Sequence, residues 1–326
     1  MTGRERFLRS MLFKPVDRPA RVDAFELAQE AFGETFPSYE ELNRSSGKIR
    51  TALIEKCARL EMMIAERYDH DAIFAWNPFA GEISLEVISL ERKMIGDSKA
   101  IIGMVPSVFW AIEIITDHMA FSVRLAEDMR GLHIDAERML ERGIRRVHEL
   151  ADAGADVAYV PNDQAFNSGT YLPPKIYEEL VLPYAQKLFS EIRKTGLIGI
   201  YHTDGNIMSI LDMICATGAH GLQSIDPMAG MDIKKVKEQT YGKLALVGNV
   251  QCNLLQEGPE DAIRMSARYC LEHASPGSGY VFMASNSIFP GMPLSNYHIM
   301  QDEYRKFCEE RESVNGHLSK MTKMSS

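Results

Sequence analysis

The sequence predicts an α/β fold, a (β/α)8 TIM barrel with an N-terminal helical extension. Three observations predict it. Short apolar runs alternate with longer amphipathic stretches, the pattern of repeated βαβ units. Eight such runs occur. No GxGxxG, and no GxxxxGK followed by Ser or Thr, appears after an early run, although an open doubly wound sheet, the competing architecture, usually carries such a loop. With 326 residues, 45% of them hydrophobic, the chain has material for one barrel and its core. One domain is expected over 1–326, with no internal repeat and no interdomain linker.

The elements follow in order. Residues 1–19 read as a helical extension. The eight strands fall near 20–25, 72–76, 101–105, 157–160, 197–201, 221–225, 243–247 and 280–283. The segment 33–69 is helical in pattern and should cover the barrel's bottom or side. The stretch 83–90 alternates polar and apolar, and a hairpin outside the barrel is expected there. After the fourth run, Pro173 and Pro174 open a helix. In it Ile176, Leu180, Tyr184, Leu188 and Ile192 recur every fourth residue, with Glu178, Glu179, Lys187, Glu191 and Arg193 at polar positions. Gly196 ends it. After the fifth run, Ile207, Ile210, Leu211 and Ile214 form a second stripe that stops near Gly218. Residues 313–326 are rich in Ser, Lys and Met, and a flexible tail is expected.

The bulk numbers exclude several function classes. The net charge is −9, an acidic balance that argues against nucleic acid, anionic membranes and polyanionic substrates. The five cysteines are an odd number, widely spaced, with no CxxC, so a disulfide framework is not expected and a reducing cytoplasm is. The N-terminal stretch is polar, unlike a signal peptide, and no apolar run is long enough for a bilayer. The 19 methionines are read as core filling.

Barrel chemistry gathers just after the strands. Those positions hold Trp76, Asn77, Ser107, Asn162, Asp163, His202, Thr203, Asp204, Asp226, Asn249, Ser285 and Asn286. The fifth strand end, His202-Thr203-Asp204-Gly205-Asn206, is the most informative. If the strand runs on through Asp204, His202 and Asp204 point to one side, Gly205 permits a sharp turn, and Asn206 caps the next helix. An imidazole and a carboxylate at one point either ligate a divalent metal or form an acid/base pair. The plainer alternative has Asp204 as a helix cap and His202 on a backbone carbonyl. Asp163, on the neighbouring strand end, is a third member of the group or an Asx turn. Asp226 is a base or a turn initiator before Pro227. Cys252 reads as a buried structural thiol rather than a ligand or nucleophile. Trp76, Phe109, Trp110 and Tyr159 either wall an apolar ligand pocket or pack in the core. Substrate contacts are assigned to Trp76, Asn77, Trp110, Tyr159, Asn162, Asn249 and Asn286.

The chain resembles the uroporphyrinogen decarboxylase superfamily, and within it the corrinoid-dependent methyltransferase branch. The segments that carry the resemblance are Arg4-Glu5-Arg6-Phe7 with Pro15-Val16-Asp17-Arg18-Pro19, His202 to Asn206, Asp226 to Asp232, Gly248 to Leu254, and Ser285 to Asn296. Decarboxylases of the family grip their substrate with an arginine-rich loop after the first strand. Here no arginine occurs between Arg21 and Arg44. The thiol-methylating branch holds zinc with a His-x-Cys pair and a later Cys. Here Asp204 and Asn286 stand at those cysteine positions.

With both thiolates gone, a site made of His and carboxylates is harder and more Lewis-acidic, suited to polarising an oxygen. The resemblance therefore implies an O-demethylase-like methyltransferase. Its zinc would be held by His202, Asp204 and Asp163, and these residues with Asp226 would be catalytic. The methyl group would pass from a small methoxylated donor, aromatic or not, to the cobalt of a corrinoid on a separate partner protein. Methylated amines and alcohols stay open as donors, and a homodimer is a family expectation. The alternatives are a uroporphyrinogen-decarboxylase-like decarboxylase, a methylcorrinoid:thiol methyltransferase, and a non-catalytic barrel binding a tetrapyrrole or corrinoid.

Overall fold

The computed structural model describes residues 1–75, 82–106, 109–110 and 116–324, with backbone only at 82 and from 314 on. Eight parallel strands form the sheet: β1 (Ala20–Arg21), β2 (Ala72–Phe74), β3 (Ala100–Met104), β4 (Val157–Pro161), β5 (Ile198–Thr203), β6 (Gly221–Ser224), β7 (Ala245–Val250) and β8 (Tyr280–Ala284). From β2 to β8 each strand pairs with its successor, and β8 pairs with β1. Every strand expected from the sequence is there, and the fold is the expected barrel.

Closure falls at β1 and β2, the two ends of the hydrogen-bonded order. There the Asp71 N–H donates to the Arg21 carbonyl at 2.8 Å, and the Arg21 N–H donates to the Asp71 carboxylate at 2.9 Å. The same carboxylate receives Arg6 at 2.5 Å and Arg18 at 2.8 Å. Arg6 also pairs with Asp17. The N-terminal segments that carry part of the family resemblance thus fasten the seam at the barrel's bottom, a structural role.

Alternate strand residues fill the interior. Ala100 and Ile102, Val157 and Tyr159, Ile198 and Ile200, and Ala245 and Val247 belong to one buried cluster with Phe7 and Met11. Those last two come from the first helix, Gly3–Met11, which floors the barrel. Gly221 leaves room for it, since a Cβ there would lie 2.4 Å from the Met11 methyl. Leu222, Leu246 and Phe282 point outward, under the surrounding helices.

Two expectations need correction. The stretch 83–90 is not a hairpin but part of the helix Glu82–Ile95. Its Ile83 and Val87 pack on Leu42, Ile54, Cys57 and Ala58, so a four-residue spacing overrides the weak two-residue alternation. The helix opened by Pro174 is two helices, Pro174–Leu180 and Leu182–Thr195, because Pro183 cannot sit inside a helix and begins a new first turn instead. Over 33–69 the expected cover is present as Tyr39–Arg44 and Gly47–Arg67. The last helix runs Leu294–Met324. A two-stranded hairpin, Ala165–Phe166 with Gly169–Thr170, stands beyond β4.

Candidate metal centre at the barrel mouth

Strand register builds the site. Pro161 on β4 lies level with His202 on β5, and His202 lies level with Gln223 on β6. His202 occupies an inward position two residues beyond Ile200, so its ring enters the top of the interior. It stacks on Tyr159 with ring centroids 5.4 Å apart. Asp163 and Asp204 follow on the loops of the same two strands. One ligand atom from each of Asp163, His202 and Asp204 lies within 4.8 Å of the others.

Each member is held by named partners. The His202 Nδ1 donates to the Gln223 Oε1. The Gln223 amide is oriented by donating its own Nε2–H to the Ser285 carbonyl at 3.2 Å, and its Oε1 also accepts the Tyr159 hydroxyl at 2.7 Å. Because that oxygen only accepts, Nδ1 must carry a proton. The His202 Nε2 is left facing Asp163 at 3.4 Å. Asp163 accepts the Asp204 N–H at 2.9 Å. Asp204 accepts the Ser224 hydroxyl at 2.5 Å and the Asn286 amide at 2.7 Å.

The charges are coupled. Burial works against charging His202, but Asp163 and Asp204 outweigh it and hold its pKa above the ordinary histidine value. Burial also pushes Asp163 up, yet the His202 contact prevails and leaves it lowered. Burial, helped by Asp163 and Asp226, raises Asp204 against the pull of His202 and Ser224. Among the described residues no lysine or arginine pairs with any of these three acids. The pocket of negative charge therefore has only the imidazole to balance it, which suits a cation.

The donor set fits zinc. Two ligands on a tetrahedral zinc with bonds of about 2.0–2.1 Å stand roughly 3.3 Å apart, close to the 3.4 Å between Nε2 and the Asp163 oxygen. A ring whose Nδ1–H is spent on a fixed acceptor presents Nε2 as the ligating lone pair, the usual arrangement of a metal-binding histidine. Asp163 and Asp204 each keep lone pairs beyond the hydrogen bonds they accept.

The other sequence candidates separate. Asn286 joins the group through Asp204. Asp226 stands at its edge, accepting the Gly205 N–H at 3.4 Å while capping the turn at Met228, the turn-initiator role. Asn162 is buried beneath, its N–H on the His202 carbonyl and its side chain beside the Tyr201 hydroxyl. Tyr159 is buried with its hydroxyl engaged, and supports His202 instead of walling a pocket. Trp110 packs on Phe121 with Arg124 over its ring, among the outer helices and not against the group. Asn249 is not brought there either. Gly248 has a φ of +140°, which breaks the alternation of β7, and Asn249 turns to the Ile225 carbonyl and the outer Cys270. Cys252 is a buried thiol pushed up to about 11 by burial, accepting the Asn286 N–H, so the structural reading holds. Trp76, Asn77 and Ser107 lie outside the described residues. Gln223 and Ser224 were not singled out from the sequence. Their signal was a glutamine at an inward position of a short buried strand adjoining the one that carries His202.

The uroporphyrinogen decarboxylase family model, URO-D, matches residues 54–307. The chain belongs to the uroporphyrinogen decarboxylase family. Curated family relatives include the uroporphyrinogen decarboxylases of Pseudoalteromonas atlantica, 26% identical over 196 residues (59% of this chain, 51% of that protein), and Thermus thermophilus, 27% identical over 162 residues (49% and 44%). The chain spans about half the length of the curated relatives it matches. Among solved structures, a methyltransferase from Methanosarcina mazei superposes with a TM-score of 0.75 at 20% identity, covering 94% of this chain and 99% of that one. That likeness is one of fold. Among the described residues, no helix is long and apolar enough to cross a membrane.

Proposed function

We propose that this family member is a methyltransferase of the corrinoid-dependent, O-demethylating kind, with zinc held by Asp163, His202 and Asp204. The observation that carries the reading is the grouping of one imidazole and two carboxylates at the strand ends, with the His202 Nδ1–H committed to Gln223. When bound, the metal supplies a Lewis acid for an ether oxygen, and the partner's corrinoid supplies the methyl acceptor.

The chain's own residues do the rest. Gln223 and Tyr159 fix the imidazole's tautomer and plane. Asn286 and Ser224 hold the Asp204 carboxylate in place against Asp163. The two acids keep negative charge at the site and favour bound metal over bound proton. Gly205, with a φ of +83°, turns the chain sharply just after Asp204. A substrate bearing many carboxylates would face Asp163, Asp204 and Asp226 with no arginine partner among the described residues, which favours methyl transfer over porphyrinogen decarboxylation.

Elemental analysis of wild type beside His202→Ala, paired with a screen of methoxylated donors and a reduced corrinoid protein, tests the reading. About one zinc per chain is expected, lost in the variant, with methylcorrinoid formed only by wild type. Unchanged metal in the variant, or no transfer from any donor, would overturn it. Turnover without corrinoid would favour the decarboxylase alternative.

A further inference from the structure

The hairpin beyond β4 brings to the metal centre a residue with no part in the ligand group. Its strands pair Ala165 with Thr170 and Phe166 with Gly169. The ladder runs one step further, because the Tyr171 N–H donates to the Gln164 carbonyl at 2.9 Å. Gln164 directly follows Asp163. The hairpin is also tied to the strand end that carries the other two ligands. The Gln164 N–H donates to the Thr203 Oγ1 at 2.9 Å, and the Phe166 carbonyl accepts the Asn206 N–H at 2.9 Å. Backbone bonds thus fix Tyr171 beside Asp163 and over the turn that follows Asp204.

Its side chain lies partly open to solvent, with the ring edge-on to Phe166 at a centroid distance of 4.4 Å. The hydroxyl stands in the field of both carboxylates. Burial, then the negative charge of Asp163 and of Asp204, push the phenol up to about 12. It is a neutral O–H donor throughout the ordinary pH range. The other donors around the acids are committed: Tyr159 to Gln223, and Ser224 and Asn286 to Asp204. Among the described residues the Tyr171 hydroxyl has no hydrogen-bond partner. It faces the site with a proton to donate and nothing yet to receive it.

We propose that Tyr171 is a catalytic residue of this site, whose hydroxyl donates a hydrogen bond to the oxygen of a methyl ether as that oxygen departs. The proposal rests on the methyl-transfer reading above. The methyl–oxygen bond breaks with its electron pair staying on oxygen, the pair of the new bond comes from the reduced corrinoid partner, and solvent supplies the proton of the released alcohol. The hydrogen bond strengthens as charge grows on oxygen, so it lowers the barrier more than it tightens ground-state binding. Sulfur is a weak acceptor, so the same hydroxyl favours ethers over thioethers.

The test titrates zinc-loaded wild type and Tyr171→Phe with two probes. One is 4-nitrophenolate, a stand-in for the departing aryl oxide that is followed by its visible absorbance. The other is 4-nitrothiophenolate, with sulfur in place of that oxygen. The variant should keep its zinc and its Tm, since the hydroxyl it loses bonds nothing in the fold. It should bind the phenolate about ten-fold more weakly and the thiolate as wild type does. In turnover with a reduced corrinoid protein, its loss in kcat should widen as the leaving phenol becomes less acidic. Unchanged phenolate affinity, equal losses for the two probes, or loss of zinc from the variant would overturn the role of Tyr171 while leaving the methyl-transfer reading standing. Wild type that takes up no zinc would overturn that reading and this role with it.

Discussion

Gln223 decides which nitrogen of His202 faces the acids. Its amide cannot rotate freely, because the Ser285 carbonyl takes its N–H and leaves the oxygen toward the ring. Replacing it by leucine removes the acceptor for both His202 and Tyr159. Zinc affinity, measured by chelator competition, is expected to fall roughly 10- to 100-fold in Gln223→Leu, the usual cost of losing such a support. Unchanged affinity would refute the support role. At this scale the sequence was informative where chemistry sits at strand ends: His202, Asp204, Asp163 and Asn286 converge as their positions suggest. It was less so inside strands. Gln223 lies mid-strand, and only knowledge of its register with His202 reveals it. Asn249 shows the opposite failure, because a glycine with positive φ just before it reverses the side on which it emerges.

The turn after β5 is the element on which the site depends. Gly205 has a φ of +83°, and a Cβ there would lie 2.3 Å from the Ala165 carbonyl oxygen. That oxygen belongs to the hairpin beyond β4, which also binds the Asn206 N–H through Phe166 at 2.9 Å. Gly205→Ala therefore has to move backbone, at a cost on the order of 2 kcal/mol. A lowered Tm together with reduced zinc occupancy is expected; a variant with wild-type values of both would contradict the argument. The sequence marked Gly205 as a turn, which it is, and Asn206 as a cap; the cap position falls instead to Ile207, and Asn206 accepts the Met208 N–H at 3.2 Å in a turn just before it. Elements were legible when their periodicity was strong, as in Leu182–Thr195. They were not when a segment satisfied two periods at once, as at 83–90, where only the partner helix settles the choice.

For the molecule as a whole, buried acids shape the response to pH. Burial raises Asp23 to about 7, against donations from Ala284, Tyr297 and Gln301, and it raises Glu61 and Glu91 as well. Groups raised on folding bind more protons in the native state than in the unfolded one. Stability from them is present in acid and is lost as pH climbs from about 4 toward 7 and beyond. Glu61→Gln, which keeps shape without a titrating proton, should unfold at the same denaturant midpoint as wild type near pH 4 and at a higher one near pH 8. Parallel midpoints at both pH values would remove Glu61 from the account. The barrel itself was readable because eight apolar runs separated by helical patterns leave few alternatives. The seam was not, because its ion pairs join Arg6, Arg18 and Asp71 across long sequence separations.

The seam has a consequence for the order of assembly. Strands β2 to β7 each find a neighbour in the next strand to be made. β1 has only the Arg21–Asp71 contact to hold it early, since the strand it pairs with is the last of the eight. While the chain emerges from a ribosome, the N-terminal helix has no finished vessel to floor, and β2 presents a raw edge. The opening segment must then be captured late, and a chaperone that shelters residues near the N-terminus would have its longest task on this side of the barrel.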